Sequence, residues 1–419
     1  MSIRILIHTI FYRPELTGVA KYTAELCEWL AFRGHDVHVV SPPPYYPQWR
    51  IQTPYHQWRY TSELLDGVHV HGCPVWLPRH PRGLGRVLYG LSFALASLPV
   101  MLREALRGPD LLLVTVPSFL NSVVAWAAAR TAGSTAWLHI HDFEIDLAYD
   151  FGQFRRGRRV AELLESLILR RFDVVSSITR RMLNKVCAKG VPENRLYMLP
   201  NWFDPATIRP LPHASPMRSQ FEIPNDSVVA MFSGSLGAKQ GVEMIVEAAR
   251  ALVDHRRLLF VISGEGVTAD TLRARAQGIG NIRFLPLQPA ERLNELLNIA
   301  DIHLLPQQPA ASGSVMPSKL IHMLASGRPV VAAARAGTEI AQLVNECGIV
   351  VEPDNEKALV SAILNLAEDH AERLRLGERA RQRALEQFRQ DSIFSDFERE
   401  LHRRIPPVLR RTADGLPPG

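Results

Sequence analysis

The stretch MPSKLIHMLASGRPVV, residues 316–331, has the pattern of a short helix followed directly by a buried strand. Proline fits the first turn of a helix, where its missing amide donor is not needed, so Pro317 predicts the helix start. Gly327 fits the position just past a helix end, and the apolar run behind it predicts the strand. Such a helix–strand unit is typical of an α/β fold.

Apolar runs alternate with helical patterns along most of the remaining chain. Each run is continuously apolar, which indicates strands that are buried on both faces of a parallel sheet. The predicted strands lie at residues 3–9, 36–41, 68–72, 110–116, 135–141, 173–178, 228–234, 258–264, 281–286, 301–306, 329–333 and 348–353. The sequence therefore predicts two doubly wound, Rossmann-like α/β domains.

The segment between these two sets of strands, residues 201–225, is rich in proline and lacks periodicity, which predicts an interdomain linker. The N-terminal domain is then residues 1–200, and the C-terminal domain is residues 226–388. We expect residues 389–405 to form a helix that packs back on the N-terminal domain, before a disordered tail at residues 406–419. A cleft between the two domains is the expected ligand site.

The composition describes a globular chain with a basic surplus. Of 419 residues, 47% are hydrophobic and 21% are charged, and the formal net charge is +6. The surplus suggests an anionic partner, namely nucleic acid, an acidic membrane or a phosphorylated ligand, and composition does not choose among them. The four cysteines are far apart and form no C-x-x-C pair, so neither a disulfide framework nor a cysteine zinc site is predicted.

Two stretches bear on the cellular location. The N-terminal sequence MSIRILIHTI has no apolar segment of signal-peptide length, so we expect the protein to stay in the cytoplasm. The longest uncharged stretch, residues 87–102, is shorter than the ~18–20 residues that span a bilayer and contains Pro99. We therefore expect no transmembrane helix there.

Two loops of the first half follow predicted strands, and ligands of open α/β sheets bind at the carboxyl ends of the strands. Gly18 begins a helix in a loop without G-x-G-x-x-G, which disfavours a dinucleotide site but leaves room for a phosphate. His141 and Asp142 end the strand at residues 135–141, where an imidazole can hydrogen-bond near a reacting centre. A turn glycine and a structural histidine are the alternatives.

Three loops of the second half carry glycine, hydroxyl and lysine residues next to predicted helix starts. These residues are Gly234, Ser235, Lys239, Gly264, Ser314, Ser318 and Lys319, with His322 on the same helix face as Lys319. Together they predict a phosphate cradle, although none of these loops is a Walker A loop. Alternatively, Lys319 is a solvated lysine and His322 a half-buried spacer.

The chain contains six motifs of a known family, LAFRGHDVHVVSPPPYYPQW, LHIHDFEID, LPNWFD, FSGSLGAKQGVEMIVEAA, NIRFLPLQP and MPSKLIHMLASGRPVV. The order and spacing of these motifs resemble those of the family 4 retaining glycosyltransferases of the GT-B fold. The resemblance covers about residues 3–390. The chain most resembles their colanic-acid biosynthesis branch, whose members are often described as fucosyltransferases. The resemblance implies an acceptor-binding N-terminal domain and a C-terminal domain that binds a nucleotide sugar, GDP-fucose or another nucleoside diphosphate hexose.

Carried over residue by residue, the resemblance implies roles for the candidate residues. Gly18 would lie beside the donor diphosphate, and His141, with Asp142 next to it, beside the transferred sugar. Lys239 would neutralise the diphosphate, and the loop at residues 313–322 would hold phosphate and ribose. The resemblance further implies retention by front-face attack, in which the leaving phosphate takes the acceptor proton. The chain has no D-x-D motif suited to a metal, so we expect neither a metal nor another cofactor.

The chain departs from the family at three of these positions. Ser235 replaces the usual partner arginine, and Ser314 and His322 stand where the family has a pair of glutamates. With both carboxylates gone, Lys319 becomes a second cation for the diphosphate, and His322 can hydrogen-bond a ribose hydroxyl. The missing glutamates also leave open a catalytically degenerate scaffold in a polysaccharide assembly complex.

Aromatic and basic segments of the N-terminal domain bear on the acceptor. Tyr45, Tyr46 and Trp49 are candidates for stacking on sugar rings, with ordinary loop packing as the alternative. Residues 79–107 have an apolar middle flanked by arginines, and residues 155–173 add a basic cluster, which together favour an anionic membrane surface. A polyprenyl-diphosphate-linked saccharide acceptor fits, as does a peripheral position at the inner face of the cell membrane. The alternative is a buried core helix with solvated arginines.

Two other classes of protein are less well supported. An NAD-dependent oxidoreductase would also have two Rossmann-like halves, but the glycine fingerprint of that class is missing. The net charge alone would suggest nucleic-acid binding. The sequence contains no recognisable nucleic-acid-binding module, so no nucleic-acid partner is expected.

Overall fold

The computed structural model describes residues 2–15, 18–46, 48–79, 83–117, 119–150, 157–237, 240–308 and 317–405. The chain divides into two compact units. The first contains Met1–Pro200 and the chain from Phe394 onward, and the second contains Asn201–Ile393. Each unit has its own sheet, as the two sets of apolar runs predict.

The first unit is built on an eight-stranded sheet. Its strands are β1 Arg4–His8, β2 Asp36–Ser41, β3 Thr61–Leu65, β4 Val68–Gly72, β5 Leu111–Val116, β6 Thr135–Ile140, β7 Val174–Ser177 and β8 Leu196–Met198. The spatial order is β3-β4-β2-β1-β5-β6-β7-β8, and all neighbours are parallel except the β3–β4 hairpin. Its helices are α1 Gly18–Phe32, α2 Leu84–Ala105, α3 Phe119–Ala132, α4 Glu144–Asp150, α5 Arg158–Leu169 and α6 Arg180–Ala188. The strand order reverses between β1 and β5, which is the position where open sheets bind ligands.

The second unit has a six-stranded, wholly parallel sheet in the order β11-β10-β9-β12-β13-β14. Its strands are β9 Val228–Ser233, β10 Leu258–Ser263, β11 Ile282–Leu285, β12 Ile302–Leu305, β13 Val330–Ala333 and β14 Gly348–Val351. Its helices are α7 Pro216–Gln220, α8 Glu243–Ala251, α9 Ala269–Arg275, α10 Leu293–Leu297, α11 Lys319–Ala325, α12 Glu339–Val344, α13 Glu356–Glu368 and α14 His370–Gln387. The order here reverses between β9 and β12.

Burial explains which strands the sequence predicts. All six residues of β5 and all six of β10 are buried, so both strands are continuous apolar runs. By contrast, β3 lies at the edge of its sheet and is largely exposed, and β8 is a short edge strand. β3 has no apolar run and β8 is only three residues long, so the sequence pattern predicts neither strand.

The segment predicted as an interdomain linker, residues 201–225, instead packs on the second unit. It contains helix α7 and the buried Arg218, whose guanidinium donates to the Ile299 carbonyl and to Asp301, both at 2.6 Å. The Asn298 side chain accepts from the Leu211 amide at 3.0 Å. Side-chain hydrogen bonds to backbone hold this segment without a periodic pattern, which is why its sequence resembles a linker.

The last helix, α15 Gln390–Arg404, packs on the first unit beyond Ile393. The rings of Phe394 and Trp29 lie 5.1 Å apart, and those of Phe397 and Trp137 lie 5.2 Å apart. Glu398 accepts from Arg33. These contacts hold α15 against the first unit, and the tail predicted at residues 406–419 lies outside the described residues.

Helix α2 is longer than the uncharged stretch on which the sequence prediction rests. Among the described residues, it is the one helix whose length and composition would allow it to cross a membrane. It has Pro99 in its interior, and its buried residues include Tyr89, Phe93 and Met101. Because a core helix of a soluble protein passes the same length test, this finding by itself is weak support for a membrane span.

Candidate active site

In the second unit, two glycine turns approach each other at the carboxyl ends of the adjacent strands β9 and β10. Gly234 follows β9 with φ +136°, and Gly264 follows β10 with φ +147°. A Cβ atom on Gly264 would lie 1.9 Å from the Gly234 carbonyl oxygen, so a side chain cannot be accommodated without a backbone shift. The two turns therefore present closely packed backbone at the edge where the fold binds ligands.

Lys319 begins α11 and reaches these turns. A Cβ atom on Gly234 would lie 3.4 Å from its Nζ. The ammonium lies 3.8 Å from the centroid of the Phe232 ring and donates to the Gln240 Oε1 at 3.0 Å. Burial lowers the pKa of Lys319 to about 7, and none of the causes of that shift is a nearby carboxylate. Lys319 is therefore a partly desolvated cation, without a countercharge among the described residues, at the predicted phosphate cradle.

The other residues predicted to bind the donor differ in their burial. His322 is buried in α11, Ser318 is half-buried before the first residue of α11, and Ser235 is exposed in the turn after β9. Lys239 and Ser314 lie outside the described residues. The structure thus brings Gly234, Gly264 and Lys319 together at the carboxyl ends of β9 and β10.

In the first unit, His141 directly follows β6. Its amide donates to the Val116 carbonyl at 3.0 Å, and its ring meets the His139 ring edge-on at 4.4 Å. Burial lowers the pKa of His141 to about 4, so the ring is neutral at physiological pH. Asp142 is half-buried beside it, and Gly18 is the exposed first residue of α1 after β1.

Glu15 is a buried carboxyl in the loop after β1, and no sequence motif marks it. Its Oε1 accepts from the amides of Tyr45 and Tyr46 at 2.7 and 2.8 Å. Its Oε2 is buried and has no hydrogen-bond partner among the described residues. Burial raises the pKa of Glu15 to about 7. Its position three residues before Gly18, in a loop next to a predicted site, is the only sequence signal that would have found it.

The structure corrects the prediction that the Tyr45 ring stacks on a sugar. Tyr45 is fully buried, its hydroxyl accepts from the Tyr89 hydroxyl at 2.6 Å, and its ring stacks on Phe11 at 5.9 Å. The loop-packing alternative therefore holds for this residue. Tyr46 is 37% exposed and Trp49 is half-buried, so these two rings keep accessible surface.

The chain matches two family models. The Glycosyl transferase 4-like domain matches residues 17–202, and Glycosyl transferases group 1 matches residues 215–383. The putative colanic acid biosynthesis glycosyl transferase WcaI of Escherichia coli K12 is 37% identical over 372 residues, which cover 86% of this chain and 91% of that protein. A D-inositol 3-phosphate glycosyltransferase of Corynebacterium glutamicum is 33% identical over 173 residues, which cover 39% of this chain and 40% of that protein.

Solved structures share the fold at low sequence identity. Sucrose-phosphate synthase from Thermosynechococcus elongatus has a TM-score of 0.76 at 17% identity, and the match covers 96% of this chain and 98% of that one. Anabaena HepE in complex with UDP-glucose has a TM-score of 0.69 at 16% identity, with 96% and 99% covered. Because the two family models together cover most of the chain, and the E. coli relative by itself covers 86% of it, the protein belongs to the GT-B glycosyltransferases that join a glycosyl transferase 4-like domain to a group 1 domain.

Proposed function

We propose that this glycosyltransferase moves a hexose from a nucleoside diphosphate sugar to a saccharide acceptor during assembly of an exopolysaccharide of the colanic acid type, with retention of anomeric configuration. The observation that carries the proposal is the position of Lys319 against the Gly234 turn in the second unit. The name of the E. coli relative supports the polysaccharide class, and UDP-glucose in HepE supports a nucleotide sugar as donor. The proposed donor is GDP-fucose or another nucleoside diphosphate hexose.

The proposed chemistry requires stabilisation of a leaving diphosphate. The bond between the anomeric carbon and the phosphate oxygen breaks, and negative charge grows on that oxygen. Fixed cations and backbone amides stabilise such charge, and we assign this role to Lys239 and Lys319 in the absence of the usual arginine at Ser235. The acceptor hydroxyl adds to the same face of the sugar, and its proton passes to the leaving phosphate oxygen. This scheme uses no metal and no further cofactor.

Two histidines have positioning roles in this proposal. Neutral His141 offers one N–H donor and one acceptor, which suits binding of the transferred sugar rather than nucleophilic attack. Asp142 lies next to it and is proposed to orient the sugar or the imidazole. His322, buried on α11 one turn beyond Lys319, is proposed to bind the ribose hydroxyl where the family uses a glutamate.

A thermal-shift panel with GDP, UDP, ADP and NAD tests the donor site. One nucleoside diphosphate at ~100 times its dissociation constant is expected to stabilise the protein by about 2.7 kcal/mol, which appears as several degrees. Lys239→Ala is expected to lose this shift, because the cation opposite the diphosphate is gone. Lys357→Ala, at an exposed lysine of the same unit, is the control and keeps the shift. We expect the same shift with and without Mg²⁺.

Each outcome of this panel separates two functional classes. A shift with NAD alone would point to an oxidoreductase, and no shift with any nucleotide would favour the degenerate scaffold. A shift that survives in Lys239→Ala would show that the nucleotide binds elsewhere. The identity of the nucleotide that produces the shift also names the base of the donor.

The first unit has two helices with outward-facing apolar stripes. On α5 the stripe has the i, i+3, i+4, i+7 spacing of one helix face, which normally faces a core. The exposed side chains are Val160, Leu163, Leu164 and Leu167 on α5, and Leu84, Leu88, Leu91 and Leu95 on α2. Arg158 and Arg159 begin α5, and Arg170 and Arg171 follow it. We propose that these faces dock the enzyme peripherally on the anionic inner face of the cell membrane, where a polyprenyl-diphosphate-linked acceptor would be presented.

Vesicle co-sedimentation tests the membrane proposal. We expect the wild-type protein to sediment with phosphatidylglycerol vesicles and much less with phosphatidylcholine vesicles, because the arginines add attraction to an anionic surface. Leu163→Gln combined with Leu164→Gln is expected to weaken binding by at least ~10-fold, since two apolar side chains no longer enter the interface. Val253→Gln, at an exposed apolar residue of the second unit, is the matched control. Failure of the wild type to bind anionic vesicles would instead support solvated arginines on an ordinary surface.

A further inference from the structure

A row of buried side chains lies behind His141 on one face of the sheet in the first unit. Trp137 and His139 alternate along β6 and His141 follows the strand, so the three side chains share a face. Ser176 of the adjacent strand β7 pairs in register with His139. All four residues are buried. The row thus runs from the middle of β6 to its carboxyl end, where the proposed sugar-binding His141 lies.

Hydrogen bonds fix the tautomer of His139. The Ser176 Oγ lies 2.8 Å from the Trp137 Nε1 and 2.9 Å from the His139 Nδ1. An indole nitrogen only donates, so the Ser176 oxygen accepts from Trp137, and its own hydrogen needs a different acceptor. The Leu138 carbonyl, at 3.5 Å, is too distant for an O–H donor, which leaves the His139 Nδ1. Burial lowers the pKa of His139 well below its usual value, so the ring has a single proton, on Nε2.

Aromatic packing holds the other end of the row. The Trp137 ring meets the Phe397 ring of α15 at 5.2 Å and the Tyr197 ring of β8 at 5.6 Å. Because these rings enclose the indole, its N–H stays directed at Ser176. Helix α15, which is remote in sequence, thereby supports the row.

The His141 ring depends on His139 for its orientation. The two rings pack edge to face, with centroids 4.4 Å apart and an angle of 81° between their planes. Among the residues that the structure describes, none hydrogen-bonds the His141 imidazole. Contact with the fixed His139 ring therefore restricts how the His141 ring turns, while no described group competes with a ligand for its nitrogens.

We propose that His139, fixed by Ser176 and Trp137, is a positioning residue that sets the orientation of the His141 imidazole toward the transferred sugar. This inference rests on the role proposed for His141 and adds the side chains that act through it. A neutral imidazole binds a sugar hydroxyl only when its donor or acceptor nitrogen points at it, and a displacement of about 1 Å can lower turnover ~100-fold. A buried histidine that only fills the core would tolerate either tautomer.

Nitrogen NMR of the full-length protein with isotope-labelled histidine tests the tautomer without any ligand. The His139 signals, assigned with His139→Gln, are expected to show a protonated Nε2 and an unprotonated Nδ1. Ser176→Ala removes the hydroxyl that donates to this ring, and is expected to mix the two His139 tautomers and to shift the His141 signals. Ser176→Thr retains the hydroxyl and is expected to keep the wild-type tautomer. Ser177→Ala is the matched control, because this equally buried serine of β7 donates to a β6 carbonyl instead.

Release of nucleoside diphosphate from GDP-fucose and from UDP-glucose gives the second readout. We expect Ser176→Ala to lower kcat at least ~10-fold and to change the donor KM less than ~2-fold, because the nucleotide itself is proposed to bind the second unit. Ser177→Ala is expected to keep the wild-type values. If the wild type turns over neither donor, the fault lies in the proposed function, and the NMR comparison alone decides this inference.

Three results would overturn the inference. They are a His139 ring protonated on Nδ1 in the wild type, unchanged His141 signals in Ser176→Ala, and wild-type kcat in the folded Ser176→Ala protein. Should that variant fail to fold, Trp137→Phe takes its place. It keeps an aromatic ring but loses the indole N–H, so the Ser176 hydrogen is no longer directed to His139, and mixed His139 tautomers are again expected.

Discussion

Replacing Lys319 by alanine is expected to lower kcat by about 10²–10³-fold, because loss of one fixed charge at a developing anion has that effect in other enzymes. The ammonium sits over the Phe232 ring beside the Gly234 turn. Alanine also removes packing over that ring, so Lys319→Met is the matched variant that keeps an apolar stem and loses only the charge. We expect both variants to lose similar activity. Full activity in Lys319→Met would show that the amine has no part in the reaction.

The pH profile gives a second readout of the same residue. Burial lowers the pKa of Lys319 to about 7, so the free enzyme carries the charge below pH 7 and loses it above. A diphosphate binds the protonated form, and binding therefore takes up a proton. We expect donor affinity in the wild type to fall as the pH rises through 7, and this fall to be absent in Lys319→Met.

Replacing Gly264 by alanine is expected to destabilise the second unit by at least about 3 kcal/mol, through steric clash and backbone strain together. The new Cβ would lie 1.9 Å from the Gly234 carbonyl oxygen, at a φ of +147° that a side chain rarely adopts. For a unit of this size the midpoint of thermal unfolding should fall by roughly 6–12 °C. Calorimetry measures the change, and loss of nucleotide binding should accompany it, since the Gly234 turn must move.

Gly278→Ala is the matched control for this substitution. Gly278 has a φ of +80° in the same unit, but a Cβ there would meet no atom within 4 Å. We expect it to cost only the left-handed strain, about 1–2 kcal/mol. Equal effects of the two substitutions would show that the backbone shifts easily at Gly264 and that the two turns are not a rigid cradle.

The fold class can be predicted because burial restricts which residue types a strand can contain. Strands such as β5 and β10 are buried on both faces, so nearly all of their residues are apolar, and the α/β class follows from the pattern. The glycine turns at the strand ends can also be recognised in the sequence, because glycine is the residue that readily adopts the positive φ angles of Gly234 and Gly264. The polar edge strand β3 and the side-chain-bonded segment at residues 201–225 have no such pattern.

The sequence by itself determined the two parallel sheets, the glycine turns and the family motifs, because each depends on residue type at short spacing. Only the tertiary structure decided that Tyr45 is buried, that Glu15 binds the amides of Tyr45 and Tyr46, and that Trp137 and His139 meet at Ser176. Those contacts join residues about 30 to 40 positions apart, and their geometry depends on strand register and helix packing. The sequence does not show whether a glutamate or histidine side chain is solvated or buried. Burial nevertheless changes the pKa of the side chain and therefore its chemistry.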